Sequence, residues 1–394
     1  MKVLKGFQLI DGTGSAPVED ALLVIDNDTI SGVGKAGEVP VPKGAEVLDL
    51  TGKTVLPGLI DAHVHLFFDP VADPLSLALQ ESDNTATIRA VRNGAKTLRA
   101  GVTTVRDLGW RNFANLDLRN AVALGIVPGP RIVACGQILT MTGGHAWSCG
   151  LEVDGPEGLR KGARQQLRAG ADLIKLMATG GVLTPGVEPG SPQLEEEEMR
   201  AAITEALKAG KRSAAHAQGT EGIKNAIRAG ITSIEHGMIL DEEAVEMMLE
   251  RGVYLVPTLS APYWINLKGL DAGIPQYIVA KNKNIMEKHK KSFQMALKAG
   301  VKIAMGTDAG TPFNEHGQSH MELKLMVEQG MTPLTAITAA TQTAAALLGI
   351  GDEVGTLTPG KQADLLILDR DPLEDITALS QINRIFKAGK IVKP

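Results

Sequence analysis

Aromatic side chains make up only 3% of the 394 residues, so any large core has to be filled by aliphatic ones. Those are plentiful: 44% of the chain is hydrophobic, ample for a core beyond that of one ordinary domain. Cysteine is nearly absent. Cys135 and Cys149 are too few for a disulfide framework and lack the close pairing of a structural zinc site. Cys135 reads as a small core residue. Positive charge is not in excess either, since the net charge of -5 offers no broad basic field to nucleic acid or an anionic membrane. No stretch approaches the roughly 20 apolar residues of a membrane-spanning helix. "MKVLKGFQLIDG" breaks at Gly and Asp before a signal-peptide core develops. The expectation is a cytoplasmic protein with a small-molecule partner, and neither a nucleic acid nor a membrane.

What the sequence does have is repetition. "LRAGVTTVRDLG", "LRAGADLIKLM", "LKAGKRSAAHA", "IRAGITSIEHG", "LERGVYLVPTL" and "LKAGVKIAMGTDAG" each run from a helical tail bearing Lys or Arg, through a Gly suited to a left-handed cap, into a short β-rich segment. With the strand around Leu59 to His65 and "PRIVACGQ", eight strands alternate with helical patterns such as "EEEMRAAITEALKA". That alternation predicts parallel strands with right-handed crossovers, closed as a (β/α)8 TIM barrel of the α/β class. An open doubly wound sheet competes less well, because no phosphate-binding glycine fingerprint follows the first strand. The ends read differently. Residues 1–56 and 351–394 carry short alternating segments between turn signals, and neither piece buries enough surface alone, so they are expected to pair into one small β-sandwich beside a barrel of residues 57–350. "QLEEEEMR" is an acidic helix start favoured by the macrodipole.

"GLIDAHVHLFF" puts His63 and His65 on one face of an apolar strand, with Val64 on the other. Two imidazoles at that fixed separation suit one divalent cation better than they suit packing. Barrel chemistry sits at the C-terminal ends of the strands, where the sequence also offers Lys175 in "DLIKLM", His216, His236 and Asp308. Each has a plain alternative, a helix cap for Asp308 or a core hydrogen bond for either His. Together they fall at one end of five strands. Lys175 shares a face with Leu173 and Met177, where burial would expel or deprotonate an ammonium. A neutral amine can add carbon dioxide, and the resulting carbamate has two oxygens able to bridge two metal ions. The alternative is a lysine that snorkels to a surface acid.

Over essentially its whole length the chain resembles the amidohydrolase superfamily, through "VLPGLIDAHVHL", "IKLMATGG", the His216 and His236 strand ends, "GTDAG" and the tail "GTLTPGKQADLLILDRDPLEDI". "TMTGGHAW" and the Lys175 stretch are similar to the binuclear branch holding Xaa-Pro dipeptidases and metallo-carboxypeptidases. The resemblance implies one metal on His63, His65 and Asp308, a second on His216 and His236, and carbamylated Lys175 between them. It further implies two divalent ions, zinc foremost, an activated hydroxide as nucleophile, and Asp308 as proton shuttle to the leaving amine. The substrate would be a dipeptide or N-acyl amino acid with a free carboxylate, contacted by His145 and Tyr263, and the chain would form a homo-oligomer. Arg106 reads as a structural partner of Asp107, His316 and His320 as mouth or loop residues, and His289 in "EKHKKS" as a surface residue. Hydrolysis of a cyclic amide, as by imidazolonepropionase, is the alternative that Lys175 argues against. A xenobiotic amide, carbamate or ester is another. A non-catalytic scaffold would have lost ligands, and none is missing.

Overall fold

The computed structural model describes residues 1–392. The chain divides into two compact units. One comprises Met1–Asp61, Lys96–Thr104 and the stretch from Gly317 onward; the other comprises Ala62–Ala95 and Val105–His316.

The second unit carries the repeat. Helices Gly155–Ala169, Thr220–Ala229, Glu242–Arg251 and Gln276–Ala299 stop at Gly170, Gly230, Gly252 and Gly300, with φ of 93°, 96°, 65° and 84°. These are left-handed caps that a β-carbon would oppose. Three lead into strands Leu173–Met177, Ser233–His236 and Tyr254–Val256. Those strands and Arg212–Ala217 pair in parallel within a six-stranded sheet that also contains Gly150–Glu152 and Ile138–Thr140. A three-stranded sheet runs Leu59–Val64, Val102–Asp107, Arg131–Ala134. The helix expected at the acidic run is Glu196–Lys208, closed by a capping box between Glu195 and Glu198.

The segment expected as the eighth strand is held by isolated bridges, Ile303 to Leu255 and Ala309 to Val64. The Ala62 and His65 amides donate to the Met305 and Ala309 carbonyls (2.9 and 3.0 Å), and the Asp308 amide donates to the His63 carbonyl (2.7 Å). Gly306 explains the close fit, because a β-carbon there would lie 2.4 Å from Val256 Cγ1 and 2.8 Å from His63 Cβ.

In the first unit, strand Thr54–Pro57 joins the two chain ends, pairing parallel with Lys2–Leu9 and antiparallel with Leu365–Leu368. Through that splice the terminal strands form one eight-stranded hydrogen-bonded sheet, where the sequence suggested a sandwich. Leu4, Phe7, Leu23, Ile25, Val55, Leu365, Ile367 and Phe386 fill its core. Among the described residues no helix is long and apolar enough to cross a membrane.

Candidate metal centre

His63 belongs to Leu59–Val64 and His65 follows it, so strand alternation brings both rings to one side, with centroids 5.3 Å apart. The Nε2 atoms of both lie 3.3 Å from Asp308 Oδ1. Ligand atoms of these three residues all fall within 4.8 Å of one another. The His236 ring lies 5.0 Å from His63, His216 lies 4.6 Å from His236, and His145 lies 4.3 Å from His216. Five imidazoles thus form a continuous row. Two of the residues sit on strained backbone: His236 (φ 71°) and Asp308 (φ 57°) hold left-handed conformations without being glycine. Such strain persists where surrounding structure imposes it, and it is frequent at functional sites.

Lys175, in the middle of Leu173–Met177, is 1% exposed, and its Nζ has no hydrogen-bond partner. Burial brings its amine down to about 8, so the neutral form is accessible near neutral pH. Burial likewise holds His216 and His236 well below the ordinary histidine value, hence neutral and able to ligate. Burial would raise the Asp308 carboxyl, but His63 and His65 outweigh it and keep Asp308 ionised. Neutral His216 and His236, the paired His63 and His65 rings, a carboxylate and an orphaned buried amine converge here, and this donor set fits divalent cations.

The surrounding cavity is lined mainly by apolar side chains, among them Phe68, Leu75, Ile138, Met177, Val182 and Met238. His145 lines it too. Its Nδ1 is 2.8 Å from Thr184 Oγ1, and a β-carbon on Gly181 would touch its ring at 2.5 Å. Burial lowers His145 to about 3. Tyr263 is not among the lining residues. On helix Ser260–Lys268 it is Ala261, Pro262 and Ile265 that face the cavity, and the Tyr263 ring packs against Trp264 at 5.3 Å.

Several readings of single residues change. Arg106 pairs with Glu235, not with Asp107: its Nη2 donates to Glu235 Oε1 (2.7 Å), its Nε to the Ala62 carbonyl (2.6 Å) and its Nη1 to Ser233 Oγ (3.1 Å). Asp107 instead accepts from the amides of Leu66 and Gly109 and from Asn115. His289 is 1% exposed, because it lies on the inner face of Gln276–Ala299 within a locally charged sequence. His316 is also buried, its Nε2 3.3 Å from the Phe68 carbonyl, and neither it nor His320 lines the cavity.

Glu235 was missed. Fully buried, it accepts from His63 Nδ1 at 2.8 Å. Burial opposes its ionisation, but Arg106 and His63 hold it below the usual carboxylate range. The signal was an acid inside the short strand segment "SIEH" and an arginine inside "TVRD". Gln218 and Asn282, whose Oε1 and Oδ1 have no partner, also line the cavity unannounced by any motif.

Residues 54–392 match the amidohydrolase family. The fold superposes on a Xaa-Pro dipeptidase crystallised with methionine in its active site (TM-score 0.90, 34% identity, all of both chains covered). It also superposes on a prolidase complexed with N-methylphosphonate-L-proline (TM-score 0.92, 33% identity, 100% of this chain and 99% of that one). Ochratoxinase from Aspergillus niger is 33% identical, over 98% of this chain and 85% of its own. With this match across nearly the full chain, the protein belongs to the amidohydrolase family and is a hydrolase acting on amide bonds.

Proposed function

We propose that the protein is a binuclear metal-dependent amidohydrolase that cleaves a dipeptide or an N-acyl amino acid bearing a free carboxylate. The observation that carries this reading is Lys175 Nζ, buried and unpartnered in the cavity that His63, His65, His216, His236 and Asp308 also line. Leaving such a group unsatisfied costs on the order of 1–3 kcal/mol, which modification would recover. The neutral amine attacks carbon dioxide, an N–C bond forms, and the amine proton is released, leaving an anionic carbamate. Among the described residues, His216 and His236 join no third His, Cys, Asp or Glu in a group whose ligand atoms all lie within 4.8 Å of one another, and the carbamate would complete them as it reaches toward His63, His65 and Asp308. The parallel strand pairs and the bridges on both sides of residues 303–309 support a (β/α)8 barrel over residues 57–350.

Two divalent cations, zinc by the imidazole-rich donor set, would supply Lewis-acid activation of water and of the scissile carbonyl. Asp308, ionised and touching both His63 and His65, accepts the proton of the attacking water and passes it to the leaving nitrogen. The apolar wall excludes bulk water and takes apolar substrate side chains. His145 contacts the substrate, and Gln218 Oε1 and Asn282 Oδ1 offer acceptors for its N–H groups. The similarity to a Xaa-Pro dipeptidase and to ochratoxinase supports this substrate class.

Two measurements test the reading. Elemental analysis should find close to two divalent ions per chain, and carbon-13 NMR after bicarbonate labelling should find a carbamate on Lys175. Full activity with one ion and an unmodified lysine would discard it. A library of dipeptides and N-acyl amino acids, with free and amidated C-termini, then tests the substrate. Amidation should lower kcat/KM, and equal rates for free and amidated substrates would remove the free carboxylate from the reading.

A further inference from the structure

The two groups of histidines are backed by different chemistry. His63 Nδ1 faces a carboxylate, Glu235 Oε2 at 2.8 Å. Because that oxygen only accepts, Nδ1 keeps a proton toward Glu235, which leaves Nε2, 3.3 Å from Asp308 Oδ1, as the ring atom that would ligate a cation. Glu235 itself cannot turn. Its Oε1 receives Arg106 Nη2 at 2.7 Å and the Ser233 hydroxyl at 2.5 Å, and Arg106 is tied in turn to Ala62 and Ser233. Arg106, Ser233 and Glu235 are all at most 2% exposed, so water does not dilute the pairing. On the other side the partners are neutral. His216 Nε2 donates to the Gly180 carbonyl at 3.2 Å, and His236 Nδ1 lies 2.7 Å from the Thr258 hydroxyl.

A carboxylate behind an imidazole orients the ring, fixes its tautomer and increases its basicity as a ligand, and it does so more strongly than a carbonyl or hydroxyl. We infer that Glu235 is a positioning residue that acts through His63 to make the His63, His65 and Asp308 group the tighter of two cation sites, leaving the His216 and His236 group to fill second and empty first. This rests on the binuclear reading. Neither Glu235 nor Arg106 touches substrate; their effect reaches the reaction only through the placement of His63.

The test is zinc binding to chelator-stripped protein, read by competition with a chromophoric chelator. Wild type should take up two ions in two resolved steps. In a His216→Ala background only the His63, His65 and Asp308 group remains complete, and there Glu235→Gln should weaken the ion roughly 10–100-fold. With His216 intact, Glu235→Gln should bring the two steps together by weakening the tighter one and leaving the weaker one in place. An unchanged tight step, or equal weakening of both, overturns the inference. If wild type saturates at one ion, the binuclear reading fails, and the His216→Ala comparison still decides the role of Glu235. Should Glu235→Gln not fold, Ser233→Ala keeps the carboxylate and removes one of its holders; it should weaken the same ion, and no change there overturns the inference equally.

Discussion

In the terminal sheet the buried polar side chains are matched: the Thr54 hydroxyl donates to Gln8 Oε1 at 3.0 Å, and Asp364 Oδ1 accepts the Ala388 amide at 2.6 Å. Its core is a continuous set of aliphatic side chains with Phe7 and Phe386. The strand ends around Lys175 break the same rules. There an amine and His65 Nδ1 are buried without partners. Local violations of this kind persist when function selects for them and the rest of the fold supplies the stability. The contrast assigns stability to one region and chemistry to the other.

Lys175→Met should separate the two roles most sharply. The substitution keeps a long side chain and removes the amine, so turnover should fall by about 10²–10³-fold, the scale of losing one dominant electrostatic group. Stability of the metal-free protein should not fall, and should rise by up to roughly 1–3 kcal/mol, because an unsatisfied buried group is gone. Activity assays and urea unfolding of the stripped protein measure both. A destabilised, active variant would show that Lys175 serves packing, and the contrast between the regions would collapse.

Phe386→Ala probes the other side. At 1% exposure in the sheet core, truncation should cost about 3–5 kcal/mol, while kcat of the folded fraction stays at the wild-type value. Urea titrations with active-site counting would detect it, and a selective loss of kcat would contradict the division of labour.

The smallest effect is electrostatic and lies at a residue that neither lines the cavity nor belongs to the terminal-sheet core. Hydrogen bonds from Arg164 and Lys208 hold Glu205 down at about 2, against 4.5 for a free glutamate. The folded-state value lies below the unfolded one, so ionised Glu205 stabilises above 4.5 and loses that contribution as pH falls toward about 2. The Tm of wild type should therefore exceed that of Glu205→Gln at neutral pH by a small margin, and the margin should close across that acid window. A gap that persists at the lowest pH would show that packing, not charge, sets it.

Much of this was present in one dimension. Alternation of side chains in a strand is local geometry, so His63 and His65 were readable as a pair. Helix, glycine cap and strand recur with their own punctuation, so the order of elements in the second unit was readable too. Lys175 stood out because an ammonium does not belong among Leu173, Leu176 and Met177.

The remainder depended on which strands become neighbours. Glu235 meets His63 across 172 positions and Arg106 across 129, and no local pattern encodes such a meeting. His289 sits in a charged run yet faces inward because of how its helix packs, and Tyr263 turns away for the same kind of reason. The terminal strands were legible as strands, but a single splice through Thr54–Pro57 decided that they form one sheet. Periodicity and composition act through nearest neighbours along the chain and therefore survive in the sequence. Partner choice among buried charges is settled by long-range packing, which only the folded molecule specifies.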